Sequence, residues 1–544
     1  MTTTESRLHR VREAVQPLLL GAAHAFTFSN GPLPGWLLPY AQILILVFLA
    51  RHIWQCRRTA RAAQAGFLFG FGHFALGLYW LYISLHHFGG LAPALSVAAV
   101  LALAAAMALY PALATGLAYY LTRGLRQPGG HFFGLALSAA IWASSWALTE
   151  WLRGTLFTGF PWLNIGYAHA SGFLAGWAPI LGVYGVAWLA AFCAAAVALL
   201  IQAHKTTEDS RAAAAVAPAI VLSLAGFGLS QLNWSAPTGH PILVRLVQGG
   251  VPQSMKFDPQ RMQQGIETYM KLAALPPKQA GAEPDIIILP ETVMPQFQNR
   301  YPPQVWQEWK NIARERNATL VMGIPIMSNN KNGTRYTNSV IALTGETPVQ
   351  DLITGTTRHR YDKHHLVPFG EFIPPGFRWF VNALNIPLGD FNRGSTRQTL
   401  FALNGQIIAP NICYEDVFGE EIIPALHDSE QYGPGATLLV NVSNLAWFGD
   451  TWALRQHLEI ARMRALETGR PMLRATNTGM TAAIDPNGTV RAALLPEQPG
   501  VLDVEVQGMQ GLTPYARWGN TPLLALSLLL IAVGVFAGRQ TGTK

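Results

Sequence analysis

Charged residues are scarce in this chain. Asp, Glu, Lys and Arg make up 12% of its 544 residues, whereas 50% are hydrophobic. Soluble globular proteins carry about 25% charged residues, so this composition is not typical of one. The low charge indicates that lipid forms part of the surroundings of the folded chain.

Cysteine is also scarce, and the three present exclude a disulfide framework. Cys56 lies among arginines, Cys193 lies inside an apolar stretch, and Cys413 lies in a later segment of mixed polarity. The sequence also lacks a solenoid-type repeat and a low-complexity tract. If Cys413 faces an oxidising compartment, an unpaired thiol there calls for a functional reason.

Long apolar runs are abundant, and most of them fall within the first 232 residues. A helix needs about 20 apolar residues to cross a bilayer core of about 30 Å. We predict a bundle of about seven spans and one C-terminal span. Pro111 and Pro179 lie inside two of the windows, where a membrane helix tolerates a kink. The eight windows are residues 14–28, 34–50, 66–85, 91–121, 132–150, 172–202, 212–231 and 521–538.

The basic residues indicate the orientation. The formal charge of +8 could suggest nucleic acid, but many of these residues lie in alternate short turns, which the positive-inside rule explains. We therefore expect cytoplasmic termini, an outward-facing segment 233–520, and no nucleic-acid partner. A cleaved signal peptide ending near residue 25 is the alternative, and it leaves that segment on the same side. The basic residues are Arg7, Arg10, Arg12, Arg51, Arg57, Arg58, Arg61, Arg123, Arg126, Lys205, Arg211, Arg539 and Lys544.

The sequence predicts three parts: a helical bundle (1–232), an exported α/β domain (233–520), and a final span with a cytoplasmic tail (521–544). In the exported domain, β-type runs alternate with amphipathic helices at 258–274, 303–316 and 451–468, with Asp258 and Thr451 as helix caps. This alternation is typical of layered α/β folds. Strands are predicted at 241–248, 285–290, 319–325, 337–344, 406–413, 436–442, 471–476 and 480–485.

Three polar residues at or near strand ends could carry chemistry. A thiol needs a base to become nucleophilic, and a developing oxyanion needs a cation or N–H donors. Glu291 can serve as base, Lys363 as cation and Cys413 as nucleophile. Each also has an ordinary alternative: a loop carboxylate, one cation among several, and a small buried apolar residue.

Three sequence blocks resemble the signatures of the nitrilase (carbon–nitrogen hydrolase) superfamily, in the same order. They are Leu289-Pro290-Glu291, Tyr361-Asp362-Lys363 with Val367-Pro368-Phe369-Gly370-Glu371, and Ile412-Cys413-Tyr414-Glu415. The resemblance implies a four-layer αββα sandwich in which Glu291, Lys363 and Cys413 are catalytic. Glu371 matches a second family glutamate. We expect Glu371, Tyr414 and Glu415 to support the site, with a structural hydrogen bond or cap as the alternative for Glu415.

The layout of the whole chain is similar to the membrane-embedded branch of that superfamily, the apolipoprotein N-acyltransferases of Gram-negative bacteria. Further matching runs are Val247-Gln248-Gly249, Pro252-Gln253-Ser254, Phe160-Pro161-Trp162-Leu163, Trp447-Phe448-Gly449-Asp450, Arg462-Met463-Arg464-Ala465-Leu466-Glu467 and Arg470-Pro471. Two positions depart from the family pattern. Phe257 stands where the family commonly has tryptophan, and Leu445 where it usually has aspartate.

The resemblance implies transfer of a fatty acyl chain from a phospholipid, through a thioester on Cys413, to the amino group of diacylglyceryl-cysteine in an apolipoprotein. The donor is expected to be phosphatidylethanolamine, the protein a monomer in the inner membrane, and its catalytic domain periplasmic. No cofactor or metal is expected. His364 and His365 are adjacent, and on a strand they would point to opposite faces. Expected contacts to lipid, or anchors at the membrane interface, are Phe257, Phe369, Trp379, Trp447 and Phe448.

Two other functions stay open from the sequence. A membrane-tethered amidase would release ammonia from a small amide, with water as second nucleophile. A scaffold or transporter is the non-enzymatic alternative. A transporter should carry ionisable residues in its spans, and apart from Glu150 the sequence predicts almost none there.

Overall fold

The computed structural model describes residues 3–28, 34–126, 132–203, 209–277, 281–330, 333–381 and 390–541. The chain divides into two compact units. The first holds residues 1–81, 94–232 and 517–544, and the second holds residues 82–93 and 233–516. The segment 82–93, which holds the predicted turn 86–90 and the adjoining ends of two predicted spans, therefore groups with the second unit.

The first unit is helical, and each predicted span overlaps one of its helices. They are α1 (Thr3–Ala25), α2 (Leu38–Trp54), α3 (Thr59–Gly77), α5 (Pro93–Thr122), α6 (Phe132–Thr155), α7 (Ala178–Ala203), α8 (Asp209–Leu229) and α17 (Thr521–Thr541). The predicted span 66–85 is not one straight helix, because α3 ends at Gly77 and a short helix α4 (Leu81–Ile83) follows.

Several of these helices could cross a membrane. Among the described residues, three are long and apolar enough: Gly35–Trp54, Pro93–Thr122 and Ala175–Gln202. A fourth is added if Thr59–Gly77 and Leu81–Phe88 form one span, and shorter apolar helices occur at Ala14–Phe28, Val216–Leu229 and Thr521–Ala537. The structure thus contains membrane-compatible helices, and the count of eight spans stays a prediction.

Helix α7 forms the centre of the first unit. It packs against α2, α6, α8 and α17, and it is apolar on all sides, as expected of a fully buried helix. Its backbone breaks at Gly182, where φ is 66°, rather than at Pro179. Helix α5 continues through Pro111. A glycine with positive φ therefore bends α7 where proline was the sequence-based candidate.

Buried polar groups are more frequent in the first unit than the sequence suggested. His24 of α1 and His73 of α3 are buried, with their Nδ1 atoms 3.2 Å apart. Glu150 and Arg153 of α6 are also buried, and Arg153 donates to the carbonyl of Trp162 at 2.7 Å. The predicted spans thus contain two buried histidines besides Glu150, while Arg153 lies beyond the predicted end of its span.

The described residues of the second unit form two six-stranded sheets and a short two-stranded one. The strands are β1 (Ala236–Pro237), β2 (Ile242–Gln248), β3 (Ile286–Ile288), β4 (Thr319–Asn330), β5 (Gly333–Leu343), β6 (His359–Asp362), β7 (Phe401–Leu403), β8 (Gln406–Ile412), β9 (Leu438–Ser443), β10 (Met472–Thr476), β11 (Ala482–Ile484), β12 (Val490–Ala493), β13 (Gly500–Val506) and β14 (Met509–Gln510). The first sheet has the order β13-β2-β3-β4-β5-β6 and the second has the order β12-β11-β10-β9-β8-β7, while β1 pairs with β14.

Three apolar cores divide this unit into layers. One core joins the facing sides of the two large sheets, with residues such as Val244, Val321, Ile408 and Val440. A second covers the other side of the first sheet, and a third covers the other side of the second sheet. The covering helices include α10 (Met262–Ala273), α11 (Pro303–Glu315), α12 (Val349–Thr354) and α15 (Trp452–Thr468), and the shorter helices are α9 (Gln253–Lys256), α13 (Arg378–Val381), α14 (Gly419–Ile422) and α16 (Pro514–Trp518). The order is helix, sheet, sheet, helix.

The strands predicted from the sequence are the interior strands of the two large sheets. All eight predicted strands are found, as β2 to β5 and β8 to β11. Thr451 caps α15 by accepting a hydrogen bond from the Ala453 N–H at 3.4 Å. Asp258 does not cap α10, since the helix begins at Met262 and the Asp258 carboxylate instead accepts from the Gln260 N–H at 2.9 Å.

Candidate active site

Glu291 lies just beyond β3, in a turn held against β4. Gly323 of β4 donates to the Pro290 carbonyl at 3.1 Å and accepts from the Val293 N–H at 2.9 Å. A Cβ on Gly323 would lie 2.6 Å from the Glu291 Cα, so the close approach requires glycine. Thr292 has a φ of 57°, which is strained for a β-branched residue. The hydrogen bonds to Gly323 therefore hold the turn that positions Glu291, although the backbone of Thr292 is strained.

Lys363 lies directly after β6 and is 1% exposed. Its backbone is fixed on both sides, because its N–H donates to the Asn338 carbonyl and its carbonyl accepts from the Gly394 N–H, both at 2.8 Å. Its Nζ lies 2.9 Å from Glu371 Oε2 and 3.7 Å from Glu291 Oε1. The ammonium is therefore held between two carboxylates.

Asn338 of β5 connects the two carboxylates. Its Nδ2 donates to Glu291 Oε1 and to Glu371 Oε1, each at 2.7 Å. Glu371 also accepts from the Val367 N–H at 2.8 Å. The structure thus brings Glu291, Lys363 and Glu371 together through a residue that the sequence did not single out.

Cys413 follows β8 and has a φ of 53°. This left-handed conformation is rare for a residue with a side chain, and it turns the chain sharply into the 3₁₀ helix Cys413–Val417. The Asn441 amide of the neighbouring strand β9 donates to the Cys413 carbonyl at 3.1 Å. Cys413 forms no disulfide, and the residue as a whole is half-buried.

The charges around Cys413 and Lys363 favour a protonated resting state for both. Burial raises the pKa of the Cys413 thiol well above its usual range, and the Glu291 charge raises it further, although Lys363 opposes the shift. Burial lowers the pKa of Lys363, but attraction to Glu371 and Glu291 outweighs it, so the pKa lies above its ordinary value. The thiol therefore needs a base to react, and the lysine remains a fixed cation.

Glu415 forms hydrogen bonds that join the lysine loop to the cysteine turn. Its carboxylate accepts from the N–H groups of His364 at 2.6 Å, His365 at 3.1 Å and Ile412 at 2.7 Å, and from the Tyr361 hydroxyl at 3.0 Å. Burial raises its pKa, while Lys363 and the N–H donors partly offset the shift. The contacts correspond to the structural alternative stated for this residue.

His364 and His365 lie beyond the end of β6, so the strand argument about their faces was wrong. His364 Nδ1 lies 3.0 Å from the Gly394 carbonyl, and His365 Nδ1 lies 2.9 Å from Glu421 Oε1. In the described part of the chain, no group of three or more His, Cys, Asp or Glu side chains could hold a metal ion.

The aromatic residues expected to contact lipid or support the site do not form a single cluster. The Trp447 ring contacts Phe88 and Phe257, with centroids 5.9 and 6.1 Å away. Phe369, with a φ of 65°, packs edge-on against Phe377 at 5.5 Å. Trp379 is 70% exposed. Phe448 ends the 3₁₀ helix Ala446–Phe448, and Tyr414 is buried against Phe418 and His365.

A buried ionic cluster lies behind the nucleophile turn and was missed from the sequence. Asp416 accepts from His457 Nε2 at 2.7 Å and from Arg474 at 3.0 Å, and Arg474 also donates to His457 Nδ1 at 3.1 Å. None of the three is exposed. The available signal was Arg474 itself, a charge inside the otherwise apolar strand β10.

Known protein families match two long segments of the chain. Residues 243–515 match the Carbon-nitrogen hydrolase family, and residues 21–196 match the Apolipoprotein N-acyltransferase N-terminal domain. A CN-hydrolase superfamily protein of known structure from Xanthomonas campestris is 20% identical and covers 49% of this chain and 91% of its own, with a TM-score of 0.36. That TM-score is too low to support an argument about function. The second unit is a carbon–nitrogen hydrolase domain with a nitrilase-like fold.

Curated relatives identify the branch. Apolipoprotein N-acyltransferase of Bordetella bronchiseptica is 53% identical over 532 residues, which cover 96% of this chain and 97% of that protein. The Ralstonia nicotianae protein of the same name is 44% identical, covering 96% and 93%, and that of Nitrosomonas europaea is 42% identical, covering 94% and 96%. The chain belongs to the apolipoprotein N-acyltransferase family.

Proposed function

We propose that this protein moves a fatty acyl chain from a membrane phospholipid to the N-terminal amino group of a diacylglyceryl-modified apolipoprotein cysteine. The observation that carries the proposal is the pair of carboxylates, Glu291 and Glu371, around one buried lysine. The charges of Glu291 and Lys363 also act on the pKa of the Cys413 thiol. The full-length similarity to proteins named apolipoprotein N-acyltransferase supports the proposal.

The first half-reaction forms a thioester. Glu291 takes the proton from Cys413, and the sulfur attacks the acyl carbonyl of the phospholipid. Lys363 and nearby N–H groups stabilise the tetrahedral oxyanion. When this intermediate collapses, the C–O ester bond breaks, the proton passes to the departing alkoxide, and a lysophospholipid leaves.

The second half-reaction transfers the acyl group to nitrogen. The neutral α-amine of the lipoprotein cysteine attacks the thioester, Glu291 accepts the amine proton, and an amide forms as the C–S bond breaks. The proton returns to the sulfur, which restores the resting thiol. Glu371 keeps Lys363 in place through both steps, Tyr414 shapes the turn behind the sulfur, and Glu415 ties the lysine loop to that turn.

Acyl transfer must outcompete hydrolysis, so the site needs apolar surroundings that exclude water. We assign this role, together with contact to the acyl chains, to Phe257, Phe369, Trp379, Trp447 and Phe448. The contact of Trp447 with Phe257 supports a joint apolar wall, in which phenylalanine at 257 keeps the aromatic face without an indole N–H.

The membrane topology is also part of the proposal. Residues 1–232 form the bundle, 233–520 the periplasmic catalytic domain, and 521–544 a final span with a cytoplasmic tail, which gives eight spans and two cytoplasmic termini. The basic turns support this orientation. Phosphatidylethanolamine is the proposed donor, and the protein acts as a monomer.

Labelled phospholipid tests the chemistry directly. Purified protein incubated with acyl-labelled phosphatidylethanolamine should gain a label on Cys413 that hydroxylamine removes, and adding a diacylated lipopeptide should move the label to the peptide. Cys413→Ser should gain none. Lys363→Met should slow labelling by about 100- to 1000-fold, the usual cost of losing an oxyanion-stabilising group.

The same experiment separates the alternatives. If wild type and Cys413→Ser are equally unlabelled, the acyltransferase proposal fails. Release of ammonia from a small amide without lipid would instead support a membrane-tethered amidase. Lipoprotein maturation in cells that survives alanine substitution of Glu291, Lys363 and Cys413 would favour a non-enzymatic scaffold.

A further inference from the structure

Lys256 is a buried lysine that lies behind the proposed base. It ends α9 and is 2% exposed. Its Nζ donates to the carbonyl oxygen of Glu291 at 3.0 Å and lies 6.0 Å from the centroid of the Tyr269 ring. The lysine therefore holds the backbone of Glu291 and leaves the carboxylate free to face Lys363.

An amine at this position is costly for the fold. Burial lowers the pKa of Lys256 to about 7, although the charge of Glu291 opposes the shift. A methionine would fill a similar volume without the cost of burying an ammonium group. Retaining an amine here is better explained by a role in the site than by packing.

Helix α9 contacts the base by a second route. The Asn444 N–H donates to Glu291 Oε2 at 2.8 Å, and the Asn444 side chain donates to Gln253 Oε1 at 3.1 Å. Gln253 and Lys256 begin and end the same short helix. Glu291 is thus held at its carbonyl by one end of α9 and at its carboxylate through the other.

The network closes through Tyr269. The Tyr269 hydroxyl donates to Asn477 Oδ1 at 2.7 Å, and Asn477 Nδ2 donates to Asn444 Oδ1 at 3.0 Å. The same tyrosine ring lies beside the Lys256 amine. A change in Lys256 can therefore reach the Glu291 carboxylate through both its backbone and its hydrogen-bond donor.

The turn of Glu291 is a place where such support matters. Thr292 is strained, and Gly323 leaves no space for the backbone to relax toward β4. The hydrogen bond from Lys256 to the Glu291 carbonyl restricts the remaining movement. A protonated Lys256 donates more strongly than a neutral one, because charge-assisted hydrogen bonds are the stronger kind.

We propose that Lys256 is a positioning residue for Glu291, which fixes the base in the orientation needed to accept the Cys413 proton. The inference rests on the proposed function, in which Glu291 is the general base. The ionisable groups that face Lys256 are Glu291 and Tyr269, and Lys363 Nζ lies 3.7 Å from the Glu291 carboxylate.

Single-turnover thioester formation tests the inference. The full-length protein and its variants are placed in bilayers of acyl-labelled phosphatidylethanolamine, and the labelling rate is measured against donor content and pH. Lys256→Met should slow labelling by about 10- to 100-fold, which is part of the rate enhancement that a well-placed general base supplies. The donor content that gives half of the maximal labelling rate should stay unchanged. In wild type, titration of Lys256 should change the labelling rate around pH 7, and this change should disappear in Lys256→Met.

Three further variants make the result specific. Lys256→Arg should recover part of the rate but not the change around pH 7, since arginine stays charged. Tyr269→Phe removes one hydroxyl at the far end of the network and should slow labelling by about three- to tenfold. Lys271→Met, at an exposed lysine of α10, should match wild type.

Each outcome decides one question. Wild-type rate and pH profile in Lys256→Met, while Glu291→Gln is inactive, would overturn this inference and leave the acyltransferase function intact. The inference would also be overturned if Lys256→Met changed only the half-saturating donor content and left the maximal labelling rate unchanged. If Lys256→Met does not fold, the labelling rate of Tyr269→Phe tests the inference instead. A wild-type labelling rate in Tyr269→Phe would then overturn it. Absence of labelling in wild type would instead refute the proposed function.

Discussion

At the scale of single residues, the site depends on backbone conformations that side chains rarely adopt. Thr292, Phe369 and Cys413 all have φ between 50° and 70°, and each lies next to or within a block that resembles a family signature. Strain of this kind is kept where the surrounding fold over-determines it, commonly at active sites. Sequence motifs predict Glu291, Lys363 and Cys413 as the catalytic residues, and that assignment stays a prediction. The motifs could not predict these backbone conformations, because the conformations depend on strands that are distant along the chain.

The charges around Cys413 lead to a prediction about the direction in which the pKa of its thiol changes. Since the Glu291 charge raises the pKa of the thiol, Glu291→Gln should lower that pKa even though it removes the base. In a background with Cys56→Ala and Cys193→Ala, the pH midpoint of alkylation by iodoacetamide should therefore fall in Glu291→Gln while thioester formation is lost. An unchanged or higher midpoint would show that Glu291 does not act on the thiol.

At the scale of elements, the interior strands could be predicted and the edges could not. The strands that the sequence missed in the two large sheets are β6, β7, β12 and β13, which are the four edge strands. Interior strands are covered on both faces and read as continuous apolar runs, whereas edge strands bury less and carry a weaker pattern. Lys363 follows one of these edges, so its position beside Glu371 could not be foreseen from strand periodicity.

The contact of β4 with the Glu291 turn can be tested by adding one methyl group. Gly323→Ala places a Cβ 2.6 Å from the Glu291 Cα, so the turn must shift. We expect a loss of about 1 to 3 kcal/mol in the free energy of unfolding, and a fall in labelling rate larger than this loss explains. Gly228→Ala in α8 is the control, because nothing lies within 4 Å of its Cβ position. Wild-type activity in Gly323→Ala would show that the turn does not need the close approach.

The cluster behind Cys413 connects three elements and should matter for stability. Arg474→Met leaves the Asp416 carboxylate buried with one fewer cation, at a cost of about 3 to 5 kcal/mol. Arg455→Met, which breaks the exposed pair with Asp450, should cost about 1 kcal/mol or less. Melting temperatures in detergent would check both, and equal shifts would mean that the cluster contributes no more than a surface ion pair.

At the scale of the whole molecule, the two units differ in how readily the sequence predicts them. Composition and apolar length located the helices of the first unit, but they did not show that His24, His73, Glu150 and Arg153 lie buried in it. The two histidines weaken the sequence argument against a transporter. The acyltransferase proposal therefore depends on the family membership and on the site in the second unit.

The proposed topology predicts which positions a membrane-impermeant thiol reagent can reach. Glu430→Cys places a reporter at an exposed position of the catalytic domain, and Arg57→Cys places one in a basic turn. The background carries Cys56→Ala, Cys193→Ala and Cys413→Ala, so that each reporter is the reactive thiol. In cells with a permeabilised outer membrane, the reagent should label Glu430→Cys and not Arg57→Cys until the inner membrane is opened. Labelling in the opposite order would invert the orientation.

The pairing of β2 with β13 also has a consequence for how the protein is made. These strands come from the two ends of the second unit, and Arg245 of β2 joins Asp503 of β13 at 2.7 Å. A nascent chain therefore exposes one edge of β2 until some 250 later residues have been synthesised. Until then the incomplete sheet has an unpaired edge that favours aggregation, and a chain that stops before residue 500 would keep that edge exposed.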